Sequence, residues 1–164
     1  KKFFNTDIII ENYALGDKIE ETYLNQSIES SSSTINQINL DSNYFKQKQK
    51  LLKSDDKNFF ISTKIKMITL ESYMEKNQIN NIDFIKIDTE GYEFEILKGL
   101  KNKISQIKLI MFEHHYDDMI KKGYKYSNIS KLLKDNNFEK IYKSKMPFRK
   151  TFEYIFLNKK YIKR

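Results

Sequence analysis

The stretch from Ile82 to Leu100 limits what this chain can become more than any other part of it. Ile82, Phe84, Ile85 and Ile87 form a short apolar run with the length and composition of a buried β-strand. The period then changes. Phe94 with Leu97, and Ile96 with Leu100, repeat at helical spacing, and Gly99 stands where the helix should stop. Thr89 is the expected N-cap, and Glu90 and Glu93 suit the positive end of the helix dipole. The pattern predicts a strand, a tight turn and a helix, with charge crowded at the turn. In an open parallel sheet that turn is where ligands bind.

Counted in twos, Ile82, Phe84, Lys86 and Asp88 share one strand face, with Lys86 and Asp88 about 7 Å apart. A lysine in a buried strand is costly unless it is paired or reaches out at the strand end. A structural Lys–carboxylate pair and a site pair both satisfy that condition, and the position at a strand tip favours the site. Downstream, Ile107 to Phe112 form a second apolar run that ends in Glu113, His114 and His115. If the two strands are parallel neighbours, their tips lie about 5 Å apart. Lys86, Asp88, Glu90, Glu113, His114 and His115 then surround one crevice. A carboxylate or imidazole there can take a proton from a hydroxyl as it attacks an electrophile. Close carboxylates also raise one another's pKa, and the same cluster suits a cationic ligand such as a sulfonium with an adjacent ammonium. His114 and His115 are neighbours that face opposite ways on a strand, so no metal site is expected.

The remaining elements follow in order. Ile8 to Ile10 read as a core strand and Leu15-Gly16-Asp17 as the turn after it. Lys18 to Asn25 read as an edge strand. A polar insertion of about residues 26–58 contains the serine run Ser30 to Ser33 and at most a helical turn. Phe59 to Ile68 read as strand, and Thr69 caps a short helix from Leu70 to Lys76. Ile129, Leu132 and Leu133 mark a helix over Ser127 to Asn137, with Asn137 as a left-handed cap. Two final strands, Phe138 to Lys143 and Thr151 to Lys159, make an antiparallel pair at the sheet edge. The order gives one α/β domain over residues 1–164, with a sheet of mixed direction.

Composition removes several function classes. With 39% hydrophobic and 14% aromatic residues the chain is globular. It has no cysteine, hence no disulfide, thiolate nucleophile or Cys-based zinc site, which fits a reducing, cytoplasmic location. No apolar run approaches the roughly 20 residues of a membrane span. The net charge of +8 raises a nucleic-acid-binding alternative. Against it, the positive charge is nearly all lysine, Arg149 and Arg164 being the only arginines, whereas readers of phosphates and base edges favour arginine. The wealth of Lys, Asn, Ile, Tyr and Phe reads as A/T-rich codon usage, and no nucleic-acid partner is expected.

The central stretch resembles the FkbM-type methyltransferases. Ile85-Lys86-Ile87-Asp88-Thr89-Glu90-Gly91-Tyr92-Glu93 with Leu97-Lys98-Gly99 is similar to that family's K-I-D-V-E-G-x-E…L-x-G hallmark. Asn12 to Asp17 is similar to its N-x-A-L-G-D segment, Lys66 to Tyr73 to its V-x-T-L-D segment, and Ile110 to His115 to its strand ending in E-H or E-x-H. The resemblance implies a class I methyltransferase fold, Rossmann-like, with a mixed sheet whose last strand is antiparallel. It implies S-adenosylmethionine as cofactor and O-methylation of a sugar, glycan or small metabolite. By position, Asn12, Ala14 and Leu15 fall at the adenine end of the cofactor. Asp88 and Glu90 fall near its methionine end and the acceptor, and Glu113 and His114 line the acceptor side; with Lys86 these are the candidate catalytic residues. The family's glycine-rich D-x-G-A-N-x-G loop and F-E-P strand have no match in the sequence. The chain therefore reads as a fragment, the C-terminal two thirds of the domain with its N-terminal strands missing. Weak cofactor binding by the chain alone is the expected consequence, since the nucleotide lacks its cradle of backbone N–H groups. A fold retained as a non-catalytic binding module is the alternative.

Overall fold

The computed structural model describes residues 8–27, 33–52, 60–147 and 150–162. Two sheets carry the architecture. In the first, β1 (Ala14–Gly16) lies parallel to β3 (Phe60–Thr69), and β2 (Glu20–Ser27) runs antiparallel along the other side of β3. In the second, the order is β4 (Ile82–Ile87), β5 (Ile107–His115), β7 (Thr151–Asn158) and β6 (Phe138–Lys145). There β4 and β5 are parallel, and β7 is antiparallel to both β5 and β6. The mixed α/β class expected from the sequence is present, and so is the reversed last strand.

Among the described residues four α-helices connect these strands: α1 (Asn43–Leu52), α2 (Leu70–Lys76), α3 (Glu93–Lys98) and α4 (Tyr126–Asp135). Thr69 caps α2 as its sequence foretold, its hydroxyl accepting from the Ser72 amide at 3.1 Å. Asn137 adopts the left-handed conformation after α4 (φ 68°). Ile129 and Leu133 of α4 are fully buried.

Strand alternation divides the second sheet into two unlike faces. Ile87, Phe112 and Tyr154 are cross-strand partners and are almost completely buried. They pack with Ile110, Phe156, Phe138 and the helix residues Ile96, Leu97, Ile129 and Leu133 in one core. The opposite face carries Phe84, Lys86 and Met111 and stays partly open, with Phe84 51% exposed. β6 forms the sheet edge with Lys140, Lys143 and Lys145 along it, charges that discourage edge-to-edge pairing. A bulge at Ile141 breaks its register with β7. The last strand, β7, sits inside the sheet between β5 and β6.

Two local expectations change. Ile8 to Ile10 form no strand and are 75–89% exposed, because no described strand lies beside them and β3 pairs with the segment only from Ala14 onward. Apolar content alone does not make a core strand. The polar insertion is more built than a mobile loop: Phe45 of α1 is fully buried against Met119 and Ile120 and stacks on Phe60 at 6.1 Å. Of the serine run, Ser30 to Ser32 lie outside the described residues. Thr34 beside them is buried and pairs with Asn25 by two backbone hydrogen bonds. Among the described residues no helix is long and apolar enough to cross a membrane.

Candidate active site

The parallel register of β4 and β5 places Ile87 opposite Phe112, so Asp88 and Glu113 are the next residues on the two neighbours, where β4 ends and β5 runs on to His115. Lys86 Nζ lies 2.9 Å from Asp88 Oδ2 and 4.0 Å from Glu113 Oε1. The lysine predicted to be costly in a buried strand sits on the open face, its side chain 47% exposed, and its partner Asp88 holds its pKa above the ordinary lysine value. Glu113 is far less accessible. Burial, reinforced by the Asp88 charge, raises its pKa above the usual carboxylate range, while Lys86 and His115 pull the other way. A carboxyl of this kind is a better proton acceptor near neutrality than an exposed glutamate.

The turn that follows Asp88 is built around Glu93. Its side chain is fully buried at the start of α3, and Oε1 accepts from the Gly91 amide (2.9 Å), the Thr89 hydroxyl (3.1 Å) and the Thr89 amide (3.3 Å). The Tyr124 hydroxyl donates to the other oxygen, Oε2. Thr89 is therefore a donor into the turn, and the N-cap position of α3 belongs to Tyr92. Gly91 is required by its backbone (φ 96°) and by crowding, since a Cβ there would meet Lys122 Cγ at 2.9 Å. Gly99 ends α3 where the sequence predicts the stop, and it meets a second demand. Its φ is −67°, and a Cβ would lie 2.0 Å from the Gly16 carbonyl oxygen, so it lets α3 touch β1. The insertion straps the turn from outside: Thr34 Oγ1 donates to the Glu90 carbonyl at 2.8 Å, and Asn36 Nδ2 to the Gly91 carbonyl at 2.5 Å.

The two histidines part company. His114 turns to the core face, within 6.0 Å of the Tyr116, Tyr124 and Tyr126 rings, where burial lowers its pKa to about 4. It does not join the crevice expected for it. His115 does. Its Nε2 is 3.4 Å from Glu90 Oε2, and its Nδ1 is 3.0 Å from Thr151 Oγ1 and 3.7 Å from Asp117 Oδ2. Alternation along β5 carried that signal, because residues 113 and 115 share a face. Glu93, Tyr124, Thr34 and Asn36 had no such marker; their partners are distant in sequence and visible only in the fold.

Beside the acidic turn lies a cavity of about 330 Å³ along β4. Ala14, Leu15, Tyr13, Ile35, Ile85 and Ile87 give it apolar walls, and Lys86, Asp88 and Thr89 give it a polar end. Asn12 is exposed and lines the neighbouring cleft with Tyr13 and Lys64. An apolar pocket with a few convergent polar groups is the usual form of a small-molecule site. A flat base against the walls and a cationic sulfonium near Asp88 fit this division, so the residues present suit S-adenosylmethionine. Among the described residues no three His, Asp or Glu side chains converge as a metal-ligand set.

Comparison with known proteins agrees with the motifs. No solved structure matches the chain. Over 54 residues it is 32% identical to the hexuronic acid methyltransferase AglP of Haloferax volcanii, a match covering 33% of this chain and 23% of that relative. The chain thus aligns with under a quarter of the relative's length. The methyltransferase FkbM domain model matches residues 2–140. A match over most of the chain, including the strand–turn–helix that organises the site, makes the protein a member of the FkbM methyltransferase family.

Proposed function

We propose that this protein transfers a methyl group from S-adenosylmethionine to a hydroxyl oxygen of a sugar, glycan or small metabolite. The observation that carries the reading is that Asp88 and Glu113 flank Lys86 one residue beyond the last parallel pair of β4 and β5, with Asp88 lining the apolar cavity. S-adenosylmethionine supplies, when bound, an electrophilic methyl carbon on a positively charged sulfur. Ala14 and Leu15 wall the cavity against its apolar portion, with Asn12 at the neighbouring rim, and Asp88 offers negative charge to its cationic end. Glu113 receives the acceptor's proton as the hydroxyl oxygen bonds the methyl carbon and the carbon–sulfur electron pair stays on sulfur. Lys86, between the two carboxylates, limits their mutual repulsion. Glu90 closes the acceptor side. His114 belongs to the core rather than to the chemistry.

The relative named above acts on hexuronic acid, so hexuronic acids and glycans that carry them are the first acceptors to offer. The test is transfer of a labelled methyl group by the intact protein. Asp88→Asn and Glu90→Gln should each lower turnover at least about 100-fold with unchanged circular dichroism. Wild-type turnover in both variants would contradict the assignment.

A further inference from the structure

The chemistry above leaves His115 without a task, although its ring lies at the meeting point of four segments. It ends β5, is 8% exposed, and touches Glu90 of the turn, Asp117 of the following loop and Thr151 at the start of β7. Its Nε2 points to Glu90 at ion-pair distance without forming a hydrogen bond. Glu90 itself holds a left-handed backbone (φ 50°), a conformation that persists in a non-glycine residue only when its surroundings fix it. Thr34 fixes the Glu90 carbonyl. The Glu90 carboxylate meets the His115 ring.

We propose that His115, in its protonated form, is the positioning residue of the site: the imidazolium bridges Glu90 to Asp117 and so sets the turn that carries the catalytic carboxylates. The consequence for turnover rests on the methyl-transfer reading; the bridge itself does not. Every charged neighbour has a defined effect. Burial opposes protonation of the ring, and so does Lys122, whose ammonium donates to the His115 carbonyl. Asp117 and Glu90 outweigh both, and the net shift is upward from 6.5. Glu113 on the same face adds negative charge, and His114, titrating near 4, stays neutral beside it. The bridge is thus complete below about pH 6.5 and is lost as pH rises through the ring's raised value.

With only two histidines in the chain, long-range ¹H–¹⁵N spectra of the full-length protein test this directly. One ring should titrate near 4 and the other above 6.5, the second signal vanishing in His115→Gln. The amide shifts of Glu90 and Gly91 should titrate with the same midpoint as His115, and that titration should disappear in His115→Gln. Glu90→Gln should lower the His115 pKa, since the Glu90 charge favours the imidazolium. An unchanged His115 titration in Glu90→Gln, or turn amides that ignore His115 protonation in the wild type, would overturn the proposal. The second of these needs no variant to fold. Neither readout depends on methyl transfer, so an inactive protein with these titrations would refute the activity and leave the bridge standing.

Discussion

A buried carboxylate is costly unless every lone pair finds a donor, and Glu93 meets that condition by collecting the turn's own N–H and O–H groups. Removing it strands several buried donors at once. Glu93→Ala should therefore lower unfolding free energy by about 3 kcal/mol, and Tyr124→Phe by about 1.5–3 kcal/mol, measured by urea denaturation. Changes below half a kcal/mol in both would contradict the clamp. At this scale the sequence was legible where alternation governs it: Lys86 and Asp88 share a face, and Glu113 joins them. The same rule points to His115 rather than His114, because Glu113 fixes which parity of β5 faces the crevice. Glu93 looked like a dipole partner for the helix, and nothing local showed that it would turn back to hold the residues before it.

Among the elements, those with a local chemical cause were readable. The Thr69 cap of α2 and the left-handed Asn137 after α4 follow from short-range rules. Ile8 to Ile10 failed because strand formation needs a partner, which composition does not supply. Helix α1 was underread because its apolar anchor is almost a single residue, Phe45, in a lysine-rich run. That anchor makes the insertion a strap across the site, fixed at one end by Thr34 and Asn36 and at the other by Met119 and Ile120. Phe45→Ala should cost the strap about 3–5 kcal/mol. Hydrogen exchange should then accelerate over residues 33–52 while β4 and β5 keep their protection. Unchanged exchange in the strap would show that Phe45 does not hold it.

For the molecule as a whole, the two histidines give stability opposite slopes with pH. His114 is buried neutral, so its contribution is present above 6.5 and falls away as pH drops toward about 4. His115 is favoured as a cation, so its contribution is present below 6.5 and falls away as pH rises through its raised value. The urea midpoint should peak between these limbs, and His115→Gln should remove the alkaline decline. A midpoint independent of pH on the alkaline side of the wild type would contradict this. Family membership and the mixed sheet agree with the methyl-transfer reading proposed for the acidic cluster. In the proposed mechanism Glu113, held beside Asp88, takes the proton from the acceptor hydroxyl. The most direct test is the pH–rate profile of methyl transfer for the intact wild type and Glu113→Gln. The wild type should show an acid limb with an apparent pKa above that of an ordinary glutamate, and the variant should lose about 10²–10⁴-fold in rate together with that limb. A variant that kept both the rate and the limb would contradict it.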